Sequence, residues 1–128
     1  MSLLAGTSGR QFTPLPIDNA RGYPQSFAFV FLDQNYHFRL YVNIPAELLN
    51  RRTELIELPS PDAFLVVHVE RELVDGGRRT IFLRKVVPEL EYEAENIALV
   101  FSRQRVARNN LNGQGDFGSQ VIGGIARR

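Results

Sequence analysis

The chain contains no cysteine, which excludes disulfide staples, thiolate metal sites and cysteine nucleophiles together. It has no tryptophan, so the large aromatic side chains of its core must be phenylalanine and tyrosine. Its formal net charge is only +1, too little to give the whole molecule a general attraction for phosphate backbones. No long hydrophobic run is present. The longest, residues 27–32, is far short of the ~20 apolar residues that cross a bilayer as a helix. The opening MSLLAGTSGR lacks a basic stretch followed by an apolar run, so it does not read as a secretion signal. These absences lead us to expect a soluble protein synthesised in the cytoplasm.

What is present is the composition of an ordinary globular domain. With 128 residues, 44% hydrophobic and 23% charged, the chain suits one domain with one core. Residues 1–24 hold Pro14, Pro16 and Pro24, which interrupt any regular ladder, and read as an N-terminal arm with at most one short edge strand. Residues 26–32 form a continuous apolar run of strand length, which predicts a strand covered on both faces. Asp33-Gln34-Asn35 supplies turn formers, and residues 36–44 then alternate cleanly, with Tyr36, Phe38, Leu40, Val42 and Ile44 against His37, Arg39, Tyr41 and Asn43.

Pro45 closes that hairpin, and residues 46–52 (AELLNRR) predict a short helix or covering loop. Residues 63–74 and 78–87 flank Asp75-Gly76-Gly77 and predict a second hairpin. Residues 89–96 are ambiguous: Leu90, Tyr92 and Ala94 alternate as in an edge strand, while Glu and Ala favour helix, and we read a strand. Residues 97–102 read as another short strand that Arg103 to Arg108 could extend. From Asn109 the composition loosens, with five glycines among residues 113–124, and this predicts a flexible C-terminal arm. The reading is therefore an all-β chain: an antiparallel β-sandwich or barrel of about five to seven strands with flexible N- and C-terminal arms. Its parts are an arm over 1–24, a β-domain over 25–108 and a glycine-rich basic arm over 109–128.

Catalytic chemistry finds no foothold in the pattern. His37 and His68 sit in the middle of strands without a local nucleophile or orienting carboxylate, and two histidines without cysteine do not match a zinc ligand set. Glu89, Glu91, Glu93 and Glu95 would share one face if extended. They could ligate a hard cation, but a solvated edge or one facing basic groups is the simpler expectation. Gly76-Gly77 and Gly113, Gly115 and Gly118 lack the strand–loop–helix order of phosphate loops and read as turn and arm glycines. No enzyme activity, metal or cofactor is expected. An OB-like β-barrel module binding single-stranded nucleic acid is the alternative reading, because His37, Arg39 and Tyr41 interleave basic and aromatic groups on one strand. The small net charge weighs against it.

Five segments carry a resemblance: Pro14-Leu15, Gln25-Ser26-Phe27, Tyr36-His37-Phe38-Arg39-Leu40, residues 65–69, and Asn110-Leu111-Asn112-Gly113. In this order and over most of its length the chain resembles the small β-domain proteins of the baseplate plug or hub of contractile-tailed phages. It departs from that pattern in lacking tryptophan and in residues 45–62, which read as an insertion. The resemblance implies a non-enzymatic virion structural subunit in the central hub or plug of a tail baseplate. Such a subunit would bind hub, tube or tape-measure proteins and form a homo-oligomer in a symmetric assembly. The loose C-terminal composition suggests where contacts would lie, since an arm that orders on a neighbour must recover its conformational entropy through contact area. The partner-binding residues expected on this basis are Arg103, Arg105, Arg108, Leu111, Phe117, Val121, Ile122, Ile125, Arg127 and Arg128.

Overall fold

The structure, a computed structural model, describes residues 4–5, 8–45, 55–61, 63–107, 111 and 119–128. It is an antiparallel β-sandwich. The strands in chain order are β1 (Leu4–Ala5), β2 (Gln11–Pro14), β3 (Gln25–Phe31), β4 (Gln34–Asn43), β5 (Leu55–Glu57), β6 (Phe64–Glu72), β7 (Arg78–Val86), β8 (Glu91–Ala94), β9 (Ile97–Ala107) and β10 (Gln120–Arg127). One sheet runs β1-β2-β10-β9-β5, with β8 also paired to β9; the other runs β3-β4-β6-β7. Among the described residues there are ten strands where five to seven were expected, because β1, β2 and β10 near the chain ends and the short stretches β5 and β8 also pair. The possible helix over 46–52 lies outside the described residues.

The alternation read in the sequence sets which way each strand of the four-stranded sheet faces. Tyr36, Phe38 and Leu40 of β4 and Leu65, Val67 and Val69 of β6 point inward and are buried. They meet Tyr92, Ile97, Leu99, Phe101, Val121 and Ile125 of the opposite sheet in one core. The second hairpin closes as predicted: Asp75 Oδ1 accepts from the Gly77 amide at 2.8 Å, and Gly76 takes the positive φ of 88° that glycine tolerates. The first hairpin turns one residue earlier than Asp33-Gln34-Asn35 suggested. Leu32 and Asp33 form the turn with φ of 52° and 63°, the left-handed pair that a two-residue connection demands to match strand twist.

β3 is not covered on both faces. It is the outermost strand of its sheet, so Phe27, Phe29 and Phe31 are half-buried against the core while Ser26, Ala28 and Val30 face solvent, Val30 at 67%. β9 is buried on both faces. Ile97, Leu99 and Phe101 face the core, while Ala98 and Val100, on the other side, pack with Phe12 and Ala126 in a second apolar cluster. Phe12 of β2 packs on that side. Ser8 and Arg10 bond the carboxylate of Glu91 on β8, and the cross-strand partner of Glu91 is Val100.

The last part of the segment expected to be a flexible C-terminal arm is a strand. Gln120–Arg127 is β10, inserted between β2 and β9, and Val121, Ile125 and Ala126 are buried. Asn19 fixes its start, because Asn19 Oδ1 accepts from the Val121 amide at 2.9 Å and from the Tyr23 hydroxyl at 2.6 Å. Burial holds that phenol neutral well above its ordinary pKa, with a smaller contribution from Asp18. Gly123 is here for lack of room. A Cβ at this position would lie 2.7 Å from Cε1 of Phe101 and 3.2 Å from Cδ1 of Ile17, and the β9–β10 register shifts at this point. The arm over 1–24 is corrected in the same way, since β2 is laddered to β10 and Phe12, Leu15 and Tyr23 are buried.

Candidate functional site

The expected partner-binding residues do not form one surface. Val121 and Ile125 are core residues, so they have no side-chain area to offer a partner. Ile122 is half-buried on β10, and Leu111, also half-buried, bridges the backbone of Tyr23. Arg105 pairs with Glu57 across the β5–β9 ladder. Arg128 pairs with Glu93 at 2.8 Å and donates to the Glu95 carbonyl. Arg103 and Arg127 are exposed. Arg108 and Phe117 lie outside the described residues.

The acidic segment finds its basic partners within the chain. Glu91 pairs with Arg10 at 3.0 Å, Glu93 with Arg128, and Glu95 with Arg71 at 2.8 Å and Arg79 at 3.7 Å. Arg71 and Arg79 belong to the four-stranded sheet, so Glu95 links the two sheets at one end of the sandwich. Glu95 sits in the β8–β9 turn and Glu89 before the strand, both at positive φ, and this breaks the single face that an extended segment would give. Among the described residues no group of three or more His, Asp or Glu could hold a metal ion.

The densest group of titratable side chains lies on the outer face of the four-stranded sheet. There the register sets Arg39 opposite His68 and His37 opposite Glu70. A shallow cleft of about 410 Å³ is lined by Ser26, His37, Arg39, His68, Glu70 and Arg78, among others. Each imidazole is already engaged through Nε2: His37 to Glu72 at 3.2 Å and His68 to the Thr80 hydroxyl at 2.9 Å. The His68–Thr80 contact is exposed, so water competes for the hydroxyl, and no hydrogen bond to an orienting carboxylate is formed by His68 among the described residues. The aromatic rings nearby are also partnered, with the Arg39 guanidinium 5.6 Å from the centre of the Tyr41 ring and Lys85 Nζ 4.5 Å from that of Phe64. Chemically the face can hydrogen-bond and ion-pair with a partner.

The hydrogen bond from His37, then that from Asn35 at 2.6 Å, holds the Glu72 carboxyl below the usual glutamate range. A lowered folded-state pKa means that this contribution to stability is present above the unfolded-state pKa and is lost as pH falls through the folded value. Carbon-detected NMR titration is expected to give Glu72 a midpoint below that of an ordinary glutamate. His37→Ala should raise it, and Asn35→Ala should raise it less. An unchanged midpoint in His37→Ala would contradict this assignment.

The sequence placed His37, Arg39 and Tyr41 on a polar strand face, as the structure has them. It missed His68, Glu70, Glu72, Arg78 and Thr80 as their neighbours, because cross-strand register is fixed by long-range pairing. No known protein family, curated protein or solved structure matches the chain.

Proposed function

We propose that the chain is a non-enzymatic structural subunit of a virion, seated in the central hub or plug of a phage tail baseplate and binding neighbouring tail proteins. The observation that carries this reading is that the segments bearing the resemblance converge on one core. Leu15, Phe38, Leu40, Leu65, Val67 and Val69 all belong to it, and Gln25 is buried with its amide donating to the carbonyls of Asp18 and Gly22. The corrected chain ends change where contacts would fall. With residues 119–128 used inside the molecule, the surfaces left for neighbours are strand edges, the outer face bearing His37, Arg39 and His68, and exposed cations such as Arg103 and Arg127.

The reading is tested by mass spectrometry of gradient-purified tail particles from cells that carry the gene for this chain. The expected result is its presence at a fixed ratio to the other baseplate proteins. Absence from intact tails would overturn the proposal. Salt-sensitive retention of the purified chain on single-stranded oligonucleotide, together with that absence, would favour the nucleic-acid alternative.

A further inference from the structure

Among the described residues the four-stranded sheet ends in two unpaired edges, β3 and β7, and they are built differently. β7 reads RRTIFLRKV. It carries Arg78, Arg79, Arg84 and Lys85, and its ladder with β6 shifts register at Val69/Glu70; charge and irregularity are the usual guards against edge-to-edge pairing. β3 reads QSFAFVF, with no charge, proline or glycine, and its ladder with β4 runs without a shift.

The direction of its free backbone groups follows from the turn. A two-residue connection makes Phe31 and Gln34 a hydrogen-bonded pair, so Gln25, Phe27, Phe29 and Phe31 direct their backbone groups to β4. Those of Ser26, Ala28 and Val30 point outward. The Ser26 carbonyl accepts from Arg21 Nη1 at 3.1 Å. Among the described residues, the outward groups of Ala28 and Val30 have no hydrogen-bond partner.

We propose that β3 pairs antiparallel with β3 of a second copy of this chain, with the two-fold axis at Phe29. The side-chain pattern fits a copy of itself, because residues 27–31 read Phe-Ala-Phe-Val-Phe, nearly the same in both directions. In this register Ala28 and Val30 exchange backbone bonds with Val30 and Ala28 of the second copy. On the core side Phe29 faces its own copy and Phe27 faces Phe31, which covers three half-buried rings per chain. On the outer side alanine faces valine. The two four-stranded sheets become one of eight. The same operation on β7 would bring its cations together.

Sedimentation velocity of the purified full chain over a range of concentrations tests this. The expected result is a concentration-dependent rise from the 14.5 kDa of one chain to twice that mass. Ala28→Pro removes an outward N–H that makes no bond to β4 and sets a ring against the incoming strand, so it should weaken dimerisation by on the order of a hundredfold or more. Val30→Lys, at an exposed position, should do the same by charging the edge and decides the matter if the proline variant does not fold. Far-UV circular dichroism of each variant should match the parent. A parent chain that stays monomeric, whether or not it later captures a different protein, would overturn the proposal, as would folded variants that dimerise like the parent. The inference concerns the isolated chain and does not rest on the baseplate reading; a monomer found in purified tails would defeat the pairing and leave that reading standing.

Discussion

Deleting residues 119–128 is expected to abolish cooperative folding. β10 lies between β2 and β9, so its removal takes away both the ladder to β9 and the only neighbour of β2 besides β1 among the described residues. Val121 and Ile125 leave the core with it, each fully buried side chain of this kind contributing about 1.5–3 kcal/mol. Leu99, Phe101 and Phe12 lose part of their cover, and the ladder bonds from β10 to β9 and β2 are lost, each worth ~0.5–1.5 kcal/mol net. Together these losses are comparable with the ~5–15 kcal/mol that holds a domain folded. Thermal denaturation followed by far-UV circular dichroism should show no sigmoidal transition for the truncated chain. A melt close to that of the full chain would mean that residues 119–128 are an appendage after all.

Leu40→Ala is expected to be the more costly of two core truncations, at ~2–5 kcal/mol, and Phe29→Ala the cheaper despite its larger side chain. Leu40 is fully buried between sheets. Phe29 stands on the edge strand, half-buried, so truncation there removes less contact and opens a space that water can reach; its cost should fall below the ~3–5 kcal/mol of a fully buried phenylalanine. Urea titrations of the two variants at a concentration where the chain is monomeric would compare them. A greater loss for Phe29→Ala than for Leu40→Ala would place β3 inside the molecule.

How much of this was legible depends on the element. β4, β6 and β7 were readable because alternation and the Asp75-Gly76-Gly77 turn are local signals. β3 and β9 were exchanged in role. A continuous apolar run does not distinguish a strand covered on both sides from an edge strand, and β9 hides its double burial behind small outward residues, Ala98 foremost. β10 was missed because Gly123-Gly124 resembles a breaker, whereas Gly123 is required by the ring of Phe101 on the neighbouring strand. The acidic segment and basic tail were visible as a charge asymmetry, but their partners were not. Arg10 and Glu91 are 81 residues apart in sequence, and only the long-range fold brings them together. The site surface was half legible for the same reason: β4 declared its polar face, and the groups that β6 and β7 add to it depend on register.

Native-state hydrogen exchange, read by NMR at single amides, tests most directly whether the chain ends are built into the sandwich. The account predicts that the ladder-bonded amides of residues 121–126 exchange as slowly as those of β6, through global unfolding only. Exchange of residues 121–126 at the rate of an unstructured chain, with β6 still protected, would contradict it.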